Sequence, residues 1–80
     1  MTLLELSVGQ IALVESVSLS HHGQGLVSRL EAMGIITGKP IQVLRKAAWG
    51  GPLHLRIGST TEVAMRRSEA QWVAVNLLDK

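Results

Sequence analysis

The 80-residue sequence contains no cysteine, tyrosine or phenylalanine, and only two prolines and two tryptophans. Without cysteine there is no disulfide, thiolate metal site, iron–sulfur cluster or thiol nucleophile, so stability must come from packing, and the chain suits a reducing compartment. Two tryptophans are too few to build a platform on which successive bases stack, and no nucleic-acid partner is expected. Long apolar runs are missing as well: Ile11 to Val14 and Trp72 to Val75 are the longest stretches, far short of the roughly 20 residues that span a bilayer. The start lacks a basic n-region, and Glu5 and Gly9 interrupt its apolar residues, so no export signal is expected. These absences lead us to expect a single domain over residues 1–80, located in the cytoplasm and not spanning a membrane.

Hydrophobic residues make up 46% of the chain and charged residues 18%, a balance that builds a core and argues against disorder. A chain this short hides only ~60% of its unfolded surface on folding. The formal net charge of +2 is unevenly spread. Residues 39–67 hold Lys39, Arg45, Lys46, Arg56, Arg66 and Arg67 against Glu62 alone, a local charge of +5, while the segments on either side are weakly acidic. A basic middle suits an acidic partner, and equally suits a solvated strand face.

From Ile11 to Leu19 apolar residues alternate with a break at Glu15, which predicts a strand with Glu15 at an edge or bend. The turn before it, Ser7-Val8-Gly9-Gln10, has glycine where positive φ is needed. Leu26, Leu30 and Met33 then recur at helical spacing, with Ser28, Arg29 and Glu31 facing away and Gly34 as the stop,. Gly23 and Gly25 are expected as a flexible approach to that helix. Further strands are predicted over Ile41 to Lys46, Leu53 to Ile57, Thr61 to Arg66 and Trp72 to Leu78. Gly58-Ser59 reads as a two-residue hairpin turn, and Ser68-Glu69-Ala70-Gln71 as a capping box opening one helical turn before the last strand. The fold class expected is mainly β: a small five-stranded antiparallel barrel with one short α-helix inserted after the first strand.

Chemistry-bearing groups are sparse. The nitrogen ligands for a metal are His21, His22 and His54; the first two are adjacent, so on regular backbone they point apart, and no carboxylate cluster completes a site,. No nucleophile, base and orienting carboxylate fall into a triad pattern, and no lysine follows Gly23-x-Gly25 as a phosphate loop requires. An enzyme is not expected, nor a resident cofactor.

The unusual stretch is Ala47-Ala48-Trp49-Gly50-Gly51-Pro52-Leu53, an apolar tip between the second and third predicted strands. An exposed tryptophan beside proline and leucine is a favoured interface anchor; the competing reading folds Trp49 back over the barrel end. We take Trp49, Pro52 and Leu53 as the partner-binding anchor, with Arg45, Lys46 and Arg56 as a charged rim. Weak self-association, with Trp49 entering a neighbour's barrel groove, is a further expectation.

An ordered set of short motifs runs through the chain: Leu6-Ser7-Val8-Gly9, Leu26-x-x-x-Leu30-x-x-Met33-Gly34-Ile35, Gly38-x-x-Ile41-x-Val43, Gly51-Pro52-Leu53, Val63-Ala64-Met65-Arg66, and Glu69-Ala70 before Val73-x-Val75. In this set the sequence resembles the FeoA family of bacterial ferrous-iron uptake, from about Leu3 to Leu78. The resemblance implies an SH3-like barrel and a cytoplasmic, non-catalytic accessory that works with FeoB, the membrane ferrous-iron transporter that carries a G domain. A similar domain ends metal-dependent repressors of the DtxR type, but 80 residues leave no room for their helix-turn-helix. The sequence departs from the family's pattern at His21-His22-Gly23-Gln24-Gly25 and at Trp49. Two other functions compete: ferrous-iron binding or carriage through His21, His22 and His54, and nucleic-acid binding by an SH3-like barrel.

Overall fold

The computed structural model describes residues 1–17 and 23–78; the predictions on Ser18, Leu19, His21 and His22 lie outside them. Five strands follow one another as β1 (Ile11–Val17), β2 (Pro40–Lys46), β3 (Leu53–Ile57), β4 (Thr61–Met65) and β5 (Val73–Leu77), with helix α1 (Gly23–Ala32) after β1 and the four-residue α2 (Arg67–Ala70) before β5. All pairings are antiparallel in one sheet of order β4-β3-β2-β1-β5. The sheet is mainly β and SH3-like, as expected. Among the described residues no ladder joins β4 to β5; α2 carries the chain from one to the other, and the 3₁₀ turn Leu3–Glu5 packs against both α2 and β5.

Alternation decides which face is core. In β3, Leu53, Leu55 and Ile57 are buried while His54 and Arg56 are half-exposed, the expected pattern for a sheet with one wet face. In β1 the buried side chains are the smaller Ala12 and Val14, and Ile11 is left exposed. Glu15 explains the choice, since burying the face that carries it would strand a charge. At Glu15 the register against β5 slips between Val14 and Ser16, so the predicted bend is a β-bulge with Glu15 as the extra residue.

The ends of α1 are cleanly determined at one side. Gly34 has φ +92, Gly34 N–H donates to the Glu31 carbonyl at 2.9 Å and Ile35 N–H to the Leu30 carbonyl at 2.9 Å, the paired bonds of a Schellman cap. At the other side the helix starts at Gly23, so Gly23 and Gly25 belong to its first turn and not to an approach loop. Two turns also differ from expectation. The β3–β4 loop has three residues, because Ile57 pairs with Thr61. The capping of α2 uses Glu69, whose carboxylate accepts the Arg66 N–H at 3.2 Å, in place of the Ser68–Gln71 box; the helix begins two residues earlier than that box requires.

Candidate functional site: the β2–β3 hairpin

Ala47 N–H donates to the Pro52 carbonyl at 3.0 Å and closes a loop between β2 and β3. Inside it Gly51 N–H donates to the Ala48 carbonyl at 3.1 Å, so Ala48–Gly51 is a β-turn. Its two central residues are both left-handed, Trp49 at φ 61 and Gly50 at φ 74, the signature of a type I′ turn. That turn suits the twist of the flanking strands but normally places Asn, Asp or Gly first. A bulky side chain there costs about 1–2 kcal/mol. Trp49 is the one non-glycine residue with positive φ among those described.

Nothing folds back over the indole: Trp49 has a relative exposure of 102%, which decides between the two readings of the tip in favour of an outward-pointing side chain. Pro52 is exposed beside it. Leu53, expected in the anchor, is instead core: it is fully buried and pairs with Lys46 and Met65 in neighbouring strands. The correction follows from alternation, since Leu53 opens β3 on the same face as Leu55 and Ile57.

The loop is held from the side. Arg67, at the start of α2, donates through Nε to the Gly51 carbonyl at 2.9 Å and through Nη2 to the Ala47 carbonyl at 3.0 Å. The rigid guanidinium fork suits two fixed acceptors. Gly51 has no room for a side chain, because a Cβ there would lie 2.7 Å from the Ala47 Cβ. Further along α2, Glu69 is nearly buried and forms an ion pair with Arg29 of α1, which ties the two helices together.

The expected rim is only partly assembled. Arg45 is exposed and lies opposite His54 on the outer face. Arg56 shares that face but pairs with Glu62 at 3.0 Å. Lys46 reaches the other way and donates to the Leu4 carbonyl at 3.4 Å. His54 has a buried Nδ1 with no partner among the described residues, and no group of three or more His, Asp or Glu there could hold a metal. Sequence reasoning missed Arg67 as a loop contact, and also missed a separate cavity of about 350 Å³ lined by Val17, Val27, Glu31, Ile35, Ile36 and Thr37. Arg67 leaves no local signal, since the carbonyls it reaches lie 16 and 20 residues away. No helix among the described residues is long and apolar enough to cross a membrane.

An antiparallel five-stranded sheet with one helix inserted after the first strand and an apolar hairpin tip defines the class as a small SH3-like β-domain. A family model described as the FeoA domain matches residues 1–77, and the chain therefore belongs to the FeoA family of ferrous-iron transport accessory proteins. Among solved structures, FeoA from Stenotrophomonas maltophilia complexed with zinc is 36% identical, with 95% of this chain and 89% of that one covered and a TM-score of 0.80; it is described as an SH3 domain protein and suggested as a ferrous iron transport activating factor. FeoA from Chlorobium tepidum is 33% identical over 99% of this chain and 71% of that one, with a TM-score of 0.86. A manganese-dependent transcriptional repressor in complex with manganese, 20% identical, shares the fold alone, with 98% of this chain and 36% of that one covered and a TM-score of 0.87. No curated protein sequence matches the chain at a significant level.

Proposed function

We propose that this chain is a cytoplasmic, non-catalytic accessory that docks on the ferrous-iron transporter FeoB or its G domain and modulates iron uptake. Residues 1–80 act in this reading as one unit. Family membership supports the iron-transport setting, and the observation that carries the docking mode is the fully exposed Trp49 on a strained turn. Large aromatic side chains contribute most when they enter a partner's pocket, and a tip already in place loses little freedom on binding. Trp49 and Pro52 form the anchor. Arg45, with Arg56 partly offset by Glu62, provides the charged rim, which acts on association rate more than on affinity.

The test is binding of the purified protein to detergent-solubilised full-length FeoB and to its isolated G domain, at low and physiological salt. We expect saturable binding to both, weakened roughly 100-fold or more by Trp49→Asp, an effect of hot-spot size, with the circular dichroism unchanged. An unchanged affinity for that variant would take the hairpin out of the interface, and absence of binding to either form would overturn the FeoB reading.

A further inference from the structure

The Trp49 turn is built in an unfavourable conformation, and the residues on both sides of its two left-handed positions are held by hydrogen bonds. Its mouth is shut by the Ala47 to Pro52 hydrogen bond and its turn by the Gly51 to Ala48 bond, and at Gly51 there is no room for a Cβ, which would lie 2.7 Å from that of Ala47. The two bonds from outside the hairpin come from a single side chain, that of Arg67. Arg67 also stands where the chain leaves β4 and enters α2, so it joins the loop to the piece of backbone that bridges the two ends of the sheet. The helix that bears it is itself anchored, by Glu69 to Arg29 and to the Arg66 N–H.

We infer that Arg67 is a positioning residue: it locks the Ala47–Pro52 loop in a preformed docking geometry and thereby presents Trp49 to the partner. The inference rests on the docking reading above. Carbonyl oxygens in a solvent-facing turn would ordinarily be hydrated, and a hydrated loop with a left-handed tryptophan samples other conformations at little cost. The guanidinium replaces that water with two directed, charge-assisted bonds to carbonyls four residues apart, at Ala47 and Gly51, on either side of Trp49. A single-point ammonium does not reproduce the fork. Binding then starts from an ordered tip and does not spend affinity on ordering it.

The lock is measured without any partner, from ¹⁵N relaxation at the Trp49 and Gly50 amides. In the parent we expect order parameters near the ~0.85 of rigid backbone, and in Arg67→Met values below about 0.6, while the β3 amides and the circular dichroism stay unchanged. Arg67→Lys should fall between the two. Affinity for the FeoB G domain should drop about tenfold in Arg67→Met, through ordering lost from the tip, and less in Arg67→Lys. Gly51→Ala provides a second route that leaves Arg67 intact: its Cβ meets Ala47, so it should loosen the turn and weaken binding together, even if Arg67→Met proves too unstable to use. Loop amides as ordered in Arg67→Met as in the parent would overturn the lock whatever the binding result. A disordered loop with undiminished affinity would overturn the positioning role. Failure of the parent itself to bind would instead overturn the docking reading, with the relaxation data still deciding for or against the lock.

Discussion

Two loops turn the chain on either side of β3, and they solve the same problem differently. The β3–β4 loop is Gly58-Ser59-Thr60, polar, with positive φ on glycine (φ +66) and no atom within 4 Å of the place a Cβ would occupy. Its tie to the rest of the fold is Gly58 N–H to the Pro40 carbonyl at 2.9 Å. The β2–β3 loop is apolar, puts tryptophan at the first left-handed position, and draws on a side chain from α2 to hold it. Where reversing the chain is the whole task, the residue type matches the backbone demand. Where a residue opposes that demand and is braced from outside, stability has been given up at that point, and the docking role proposed for the loop rests on that difference.

Variants sharpen this contrast in order of expected size. Leu53→Ala, one residue beyond the exposed tip, should lower stability by about 2–5 kcal/mol in urea titrations, as for other buried leucines. Pro52→Ala next to it should stay within about 1 kcal/mol. Equal effects would mean that the boundary between core and tip lies elsewhere. Glu69→Gln removes the charge that pairs with Arg29 but keeps an acceptor for the Arg66 N–H, and should cost about 1–3 kcal/mol, read as a lowered thermal midpoint. Smallest, and most direct, is an opposed pair at the two left-handed positions. Gly58→Ala should destabilise by about 1 kcal/mol and Trp49→Gly should stabilise by up to about 1 kcal/mol, moving the thermal midpoint by roughly 4–8 °C per kcal/mol in opposite directions. The same sign in both would remove the claim that Trp49 sits under strain.

Much of the scaffold was legible from local pattern. Leu53, Leu55 and Ile57 alternate with His54 and Arg56, and the strand and its buried face follow from the period alone. Gly34 ends α1 and Gly9 turns into β1, because each stands where an L side chain would strain the backbone,. The site was legible in part. Trp49 is conspicuous because an apolar residue at a hairpin tip violates the usual pattern, but its burial or exposure is not legible, because both outcomes satisfy the local sequence.

Sequence by itself determined the alternation, the places where the chain turns, the helix stop and the family, all of which depend on residues close together in the chain or on their order along it. Tertiary structure alone decided that Glu69 of α2 pairs with Arg29 of α1 and that Arg67 grips the carbonyls of Ala47 and Gly51. The physical reason is common to these: each is a contact between segments far apart in sequence, and a side chain's choice among several possible partners is made only when the sheet brings one of them within reach.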